Sequence, residues 1–364
     1  MRFPILILSL FVLQNLLGQK AIVKNNKIER VLTFDGKVWR TTKFSSIDHK
    51  ISIAVKSDEV NILGMDSSEG LSIGDFNTIG APRAYTSGDT NFLSIAYKQL
   101  AYTKKNEVAP QRMIIKYFAI KNENFIRKNI TLIYDKPTTI DRLEVERFII
   151  PKDACGGGRG QPVFVNNQWF FALEYPAGYS RHTDGNTPKS YSRHFEKVGN
   201  YSFINLEGRD IEPHATKGML RLMHFPGYTV KINHSYQINS KTAVEGFAEN
   251  NESITRAFMQ YLSTIWKRPR SFLHYNNWFD SSAKDLSGNG LLDVYLAYKK
   301  NISPYGVKLD AVVADDGWQN RNSIWQPSPE YFPKGDTSLA ALSRKLKEAG
   351  VGFGLWLSLN GYNN

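Results

Sequence analysis

Residues 309–318 read Leu-Asp-Ala-Val-Val-Ala-Asp-Asp-Gly-Trp. The run Ala311-Val312-Val313-Ala314 offers water no polar position, which predicts a strand from about Leu309 to Asp315 buried on both faces, the signature of a parallel sheet. Two carboxylates and Gly317 follow at once, so the strand ends there and the chain turns. Upstream, Phe272 to Trp278 reads as another strand and about Leu291 to Lys300 as a helix. Downstream, Leu339, Leu342, Leu346 and Ala349 share one helical face, Gly350 ends that helix, and Val351 to Leu357 reads as a third strand. Strands alternating with helices imply parallel pairing with the helices packed outside.

Three parallel strands do not close a barrel. Residues 269–364 are therefore expected to be the first three β/α units of an incomplete (β/α)8 barrel. The rival, an open doubly wound sheet, lacks its usual glycine-rich turn after the first strand, where the chain reads Phe279-Asp280-Ser281-Ser282.

The chain upstream has a different character. Residues 20–250 are rich in short alternating runs separated by Gly, Pro, Asn and Asp, which predicts a large antiparallel β-sandwich. Val31-Leu32-Thr33-Phe34 and Lys37-Val38-Trp39 flank Asp35-Gly36, a hairpin signal. Ile126, Ile130, Leu132 and Tyr134 alternate with Arg127, Asn129 and Thr131, as on a strand with one buried face. Ile254, Phe258, Met259, Leu262, Ile265 and Trp266 then fall at helical spacing, with Asn251 or Ser253 as N-cap, and residues 251–268 read as a helix linking the two domains.

Residues 1–19 read as a secretory signal: Arg2 is the positive end, Phe3 to Leu17 the apolar core and Gly18 the small residue near cleavage. Gln14 and Asn15 interrupt that core, which is short for a membrane span of ~20 residues. Secretion, or export to a periplasm, is the expectation, with no membrane span. The single Cys155 excludes an intrachain disulfide and has no sequence-adjacent group to activate it. The formal charge of +12 comes from Lys and Arg scattered in ones and twos, so no nucleic-acid partner is expected. The seven His show no metal spacing, and neither a metal nor a cofactor is expected. Gly156 to Gly160 lacks the Lys-Ser/Thr of a phosphate loop and reads as a sandwich loop. Asn129 and Asn251 open glycosylation sequons, relevant only in a glycosylating host.

Chemistry concentrates at the ends of the three parallel strands, which share one face: Asn276-Asn277-Trp278, Asp315-Asp316-Gly317-Trp318, and Trp356. Two carboxylates after a buried run need partners. A glycosidase acid and nucleophile fit poorly, because neighbours on a strand point to opposite faces. A metal site lacks further ligands. Acceptors for sugar hydroxyls require only that Gly317 turn both carboxylates toward a pocket, while the plain alternative is an aspartate capping the following loop. Trp278 and Trp356 supply flat faces on which a sugar ring can stack. Trp318 and Trp325 stay open between core and site.

The order and spacing of Asn276-Asn277-Trp278, Asp315-Asp316-Gly317-Trp318, Pro-Glu-Tyr-Phe-Pro-Lys-Gly at 329–335 and Gly352-Phe353-Gly354-Leu355-Trp356 resemble glycoside hydrolase family 36, which holds α-galactosidases, α-N-acetylgalactosaminidases and raffinose-type synthases. The motifs cover roughly the last 95 residues. Upstream the resemblance rests on architecture. It implies that Asp315 and Asp316 bind hydroxyls of a terminal α-galactoside, that Trp278 and Trp356 line the same pocket, and that the catalytic nucleophile and acid/base lie on later strands, beyond Asn364. No catalytic residue is therefore expected in these 364 residues, which should be inactive alone. A sugar-binding module without catalysis and a raffinose synthase-like transferase are the alternatives. Phe279-Asp280 and Leu357-Ser358-Leu359-Asn360 stand where many members carry acidic residues, which bears on linkage preference.

Overall fold

A computed structural model describes residues 18–65, 70–100, 108–150, 153–183, 195–198, 201–204, 217–249, 252–267, 270–280, 285–287 and 289–357. The signal segment up to Leu17, Asn251, Ser281-Ser282, the Trp325 side chain and Ser358-Leu359-Asn360 lie outside the described residues. Packing divides the chain into two compact units, Met1–Trp266 and Lys267–Asn364.

The elements that position the features discussed below begin with β1 (Lys20–Lys24), β2 (Ile28–Phe34) and β3 (Trp39–Ser46). They continue with β4 (Phe76–Ser87), β5 (Thr90–Gln99), β6 (Arg112–Ile120), β7 (Phe125–Tyr134), β8 (Arg142–Ile149) and β9 (Trp169–Leu173). The first unit closes with β10 (Met219–His224), β11 (Val230–Ile232), β12 (Ser235–Asn239), β13 (Ala243–Phe247) and helix α1 (Ile254–Ile265).

The first unit is a β-sandwich. One large antiparallel sheet runs from Ala154–Gly156 and Val163–Val165 through β9, β13, β7, β6 and β5 to β4, with β12 paired to β7 and β11 to β12. A second has β10 and β8 at its centre, and a third, four-stranded sheet is built on β1, β2 and β3. Their inner faces share one core, in which Phe44, Phe148, Trp169 and Phe171 meet ring to ring. The glycine run is more than a loop. Ala154–Gly156 pairs within the first sheet, whereas Gly158–Arg159 pairs with Ser180 and Tyr179 in the second, so the run carries the chain across the sandwich. Cys155 is exposed and free.

The hairpin at Asp35-Gly36 forms, with a loop of residues 35–38 between the paired Phe34 and Trp39. The Asp35 carboxylate accepts from the Lys37 and Val38 amides, and that is why the turn is wider than a two-residue one.

On β7, Ile126, Ile130, Leu132 and Tyr134 are buried, and so is Lys128, on the same inward face. Its ammonium donates to Glu59 Oε2 at 3.0 Å and Glu146 Oε2 at 2.9 Å. Arg30 of β2 joins them, donating to Glu146 Oε1 at 2.7 Å and to Glu59 Oε2 at 3.2 Å, with its guanidinium 4.5 Å from the Tyr117 ring centre. Burial and the neighbouring Glu146 push the Glu245 carboxyl, 3.4 Å from the Arg30 guanidinium, well above the usual carboxylate range. The sandwich core is thus apolar around a buried ionic centre.

Helix α1 starts at Ser253, whose hydroxyl accepts from the Arg256 amide. It covers the outer face of β9 and β13, packing Ile254, Ala257 and Tyr261 on Phe125, Phe170 and Val244. The apolar stripe read from spacing is rotated in the fold. Met259 and Ile265 are exposed, because the buried face is centred on Tyr261, whose hydroxyl reaches Glu174. No described helix is long and apolar enough to cross a membrane.

In the second unit, β14 (His274–Asn276), α2 (Gly290–Ile302), β15 (Ala311–Ala314), α3 (Asp336–Ala349) and β16 (Gly352–Leu355) alternate. The strands pair in parallel in the order β14-β15-β16. Tyr275, Val312, Leu291, Tyr295, Leu342 and Leu346 form the core between sheet and helices. Gly350, at φ 97°, ends α3 in the left-handed conformation that a side chain would disfavour.

Candidate functional site

The parallel pairing of β14, β15 and β16 brings three strand ends side by side, and the residues just beyond them are tied by hydrogen bonds. Asn276 Nδ2 donates to Asp315 Oδ2 at 2.5 Å, and the Asp315 amide donates to Asn277 Oδ1 at 2.8 Å. On the other side, the Trp356 amide donates to the Ala314 carbonyl at 2.9 Å. Each tie depends on parallel register, since Asn276 stands opposite Val313 and Ala314 opposite Leu355.

The two aspartates occupy different environments. Asp315 is 7% exposed, and its Oδ1 accepts from the Asp316 amide at 2.7 Å, so both of its oxygens are engaged within the protein. Asp316 is exposed. Gly317 sits at φ 106°, the left-handed turn that the sequence required of it. The turn does not present the pair alike: Asp315 acts as a strap between strand ends, and Asp316 is left as the carboxylate free to accept from a ligand.

Trp278 is 57% and Trp356 38% exposed, large apolar surface held at strand ends. The Trp278 amide is fixed by Asn276 Oδ1 at 2.8 Å, so one asparagine side chain positions both Trp278 and Asp315. Trp318 is only 4% exposed: it packs in the core and donates from Nε1 to the Trp356 carbonyl at 2.7 Å, buttressing the third strand end. Beside the first strand, the Tyr275 hydroxyl donates to Asp280 Oδ2 at 2.8 Å, and burial with that hydrogen bond pushes the phenol up.

Sequence reasoning missed two residues here. The linking role of Asn276 had no local signal, because its partner is 39 residues away. Gln319, directly after Trp318, is 4% exposed, and neither side-chain amide atom is hydrogen-bonded to a described residue. A buried glutamine in a short hairpin strand was legible only as the polar residue that follows Asp315-Asp316-Gly317-Trp318.

A strand-end cluster of this kind has one exposed carboxylate, two exposed indoles and a floor of hydrogen-bonded asparagines. It can hold a neutral polyhydroxylated ring, with hydroxyls donating to carboxylate oxygens and the ring's C–H face against an indole.

No sequence-family model and no curated protein matches the chain. Among solved structures it is similar to a GH36 α-galactosidase from Geobacillus stearothermophilus, crystallised with stachyose, at 12% identity and a TM-score of 0.50 over 93% of this chain and 56% of that one. It is also similar to an α-N-acetylgalactosaminidase from Bifidobacterium bifidum, at 9% identity and a TM-score of 0.39 over 92% and 58%. The chain spans little more than half the length of these proteins, and its fold resembles that of the GH36 α-galactosidase.

Proposed function

We propose that the chain is the N-terminal portion of a secreted, retaining α-galactosidase-like glycoside hydrolase. Its second unit then opens a (β/α)8 barrel, and β14, β15 and β16 supply one wall of a pocket for a terminal α-galactosyl unit. The observation that carries this reading is the asymmetry at the end of β15. Asp315 is consumed by internal hydrogen bonds while Asp316 stands exposed beside it, at a set of strand ends that also carries two exposed indoles. Parallel-barrel enzymes place their sites at that end of their strands.

In this reading Asp316 accepts galactose hydroxyls, Trp278 and Trp356 offer stacking faces, and Asp315, Asn276 and Asn277 hold the floor. Bond cleavage belongs to a nucleophile and an acid/base carried by chain that follows Asn364 and forms a covalent glycosyl-enzyme. The residues described here bind and orient, and transfer to water or to a second sugar is decided elsewhere. The segment 1–19 serves as the export signal. The test is to assay the full-length gene product and the 364-residue chain on an aryl α-galactoside, following the product anomer by NMR. Retained configuration from the longer protein with no turnover from the shorter supports the reading. Turnover by the 364-residue chain, or no α-galactoside binding by either, overturns it.

A further inference from the structure

Helix α1 covers one half of the outer face of the large sheet and leaves the half made by β4, β5, β6, most of β7, β12 and β11 without a covering element among the described residues. These six strands contain no Asp or Glu. Leu93, Ile95 and Tyr97 on β5 and Met113, Ile115 and Tyr117 on β6 point into the core, so the alternate positions face outward. Register then places Arg83, Ser94, Lys116 and Asn129 in one outward row across β4 to β7, and Lys98 directly opposite Arg112 four residues further along.

Arg83, Lys98, Lys116 and Arg112 have no carboxylate partner among the described residues. Among the described residues, Asp75, Asp89, Glu123 and Asp135 lie in the connections that flank these strands rather than within them. Lys98 and Arg112 form a like-charge cross-strand pair, an arrangement that costs stability unless an anion lies between them. Two of the cations are steadied on aromatic rings: Arg83 lies 5.6 Å from the Tyr85 ring centre and Lys116 5.9 Å from that of Phe92. Between them the face carries hydroxyl and amide groups, Ser94, Asn129, Thr131 and Asn239.

We propose that this face binds an acidic polysaccharide, a chain of uronate or sulfated sugars laid across β4 to β7. Fixed cations alternating with amides and hydroxyls match a polymer in which anionic groups alternate with neutral hydroxyls, and an open sheet face suits an extended chain better than a small molecule. A single-stranded nucleic acid fits less well, because Tyr85 and Phe92 stack on each other at 4.8 Å and 12°, leaving few free ring faces for bases. This surface is built from residues of the first unit, and the proposal does not rest on the function proposed for the strand-end cluster.

The test uses the full-length protein and immobilised polygalacturonate, with neutral galactan, an oligodeoxynucleotide and phosphatidylglycerol vesicles as comparison probes. Polygalacturonate should bind at low salt and be released as ionic strength rises. Replacing Arg83, Lys98, Arg112 and Lys116 together by Ser should weaken it by about 10-fold or more at low salt. The charge-conserving set Arg83→Lys, Lys98→Arg, Arg112→Lys and Lys116→Arg should retain binding, which keeps the test decisive if the Ser variant is unstable. Replacing Lys300, Lys308, Arg344 and Lys347 by Ser, the same change in net charge on the other unit, should leave affinity within about twofold, since net charge alone is screened by salt and only charges in the contact discriminate. Equal loss in that control, absence of polygalacturonate binding, or tighter binding of the oligonucleotide or the vesicles would overturn the proposal.

Discussion

Asn276 and Asp315 face each other across two parallel strands, with Asn276 Nδ2 2.5 Å from Asp315 Oδ2, while the same asparagine's oxygen accepts from the Trp278 amide at 2.8 Å. One side chain therefore sets the spacing of two strand ends and the path of the chain that carries an exposed indole.

Asn276→Ala leaves a buried carboxylate oxygen of Asp315 without its donor and frees the Trp278 amide. The cost should be about 1–3 kcal/mol, the penalty of an unsatisfied buried polar group. Calorimetry on the full-length protein should show the loss, and amide exchange should quicken over Ala311–Ala314. Unchanged exchange there would mean that the strand ends are held by other contacts.

Asp316→Asn should separate ligand binding from folding. The side chain is exposed, so the melting temperature should change by little, while kcat/KM toward an α-galactoside in the full-length enzyme should fall on the order of 10²-fold or more as a charged acceptor becomes an amide. A destabilised but fully active variant would make Asp316 a loop cap instead.

Arg30→Met tests the ionic centre of the sandwich. It removes one of the two cations paired with Glu146 and Glu59 at full burial, and breaking a buried pair in this way costs about 3–5 kcal/mol. Denaturant unfolding of the first unit should shift accordingly. A midpoint equal to wild type would show that Lys128 alone balances both carboxylates.

His224 gives the first unit a pH dependence. Burial, with the Lys241 charge nearby, lowers its pKa to about 4, and its Nε2 accepts from the Lys241 amide. Between about 4 and the unfolded value near 6.5, the unfolded chain binds a proton that the folded chain refuses, so stability falls as pH drops through that window and the contribution is flat below it. The full difference is of the order of 3 kcal/mol. Unfolding midpoints of wild type and His224→Gln from pH 4 to 7 should converge at the acid end, and parallel curves would remove His224 as the cause.

The chain sequence by itself determined what nearest neighbours decide. Alternation along 126–134 set a strand with one buried face, Gly350 set the end of a helix, and the run at 311–314 set a strand buried on both sides, because side-chain periodicity and backbone freedom act over a few residues. The composition before residue 250 was enough for an antiparallel sandwich, and the motifs after it for strand ends bearing Asp315, Asp316, Trp278 and Trp356. Only the tertiary structure decided what each of these groups meets. Lys128 interrupts an apolar face, and nothing local tells that Arg30, Glu59 and Glu146 converge on it from other strands. Asp315 and Asp316 are adjacent and chemically identical, yet one is buried and tied to Asn276 while the other is exposed, a distinction that arises only when β14 pairs beside β15. The same holds for the outward cations of β4 to β6, scattered in the chain and gathered by register. Burial and electrostatic partnership are properties of residues distant in sequence, and only closure of the chain brings them within interaction range.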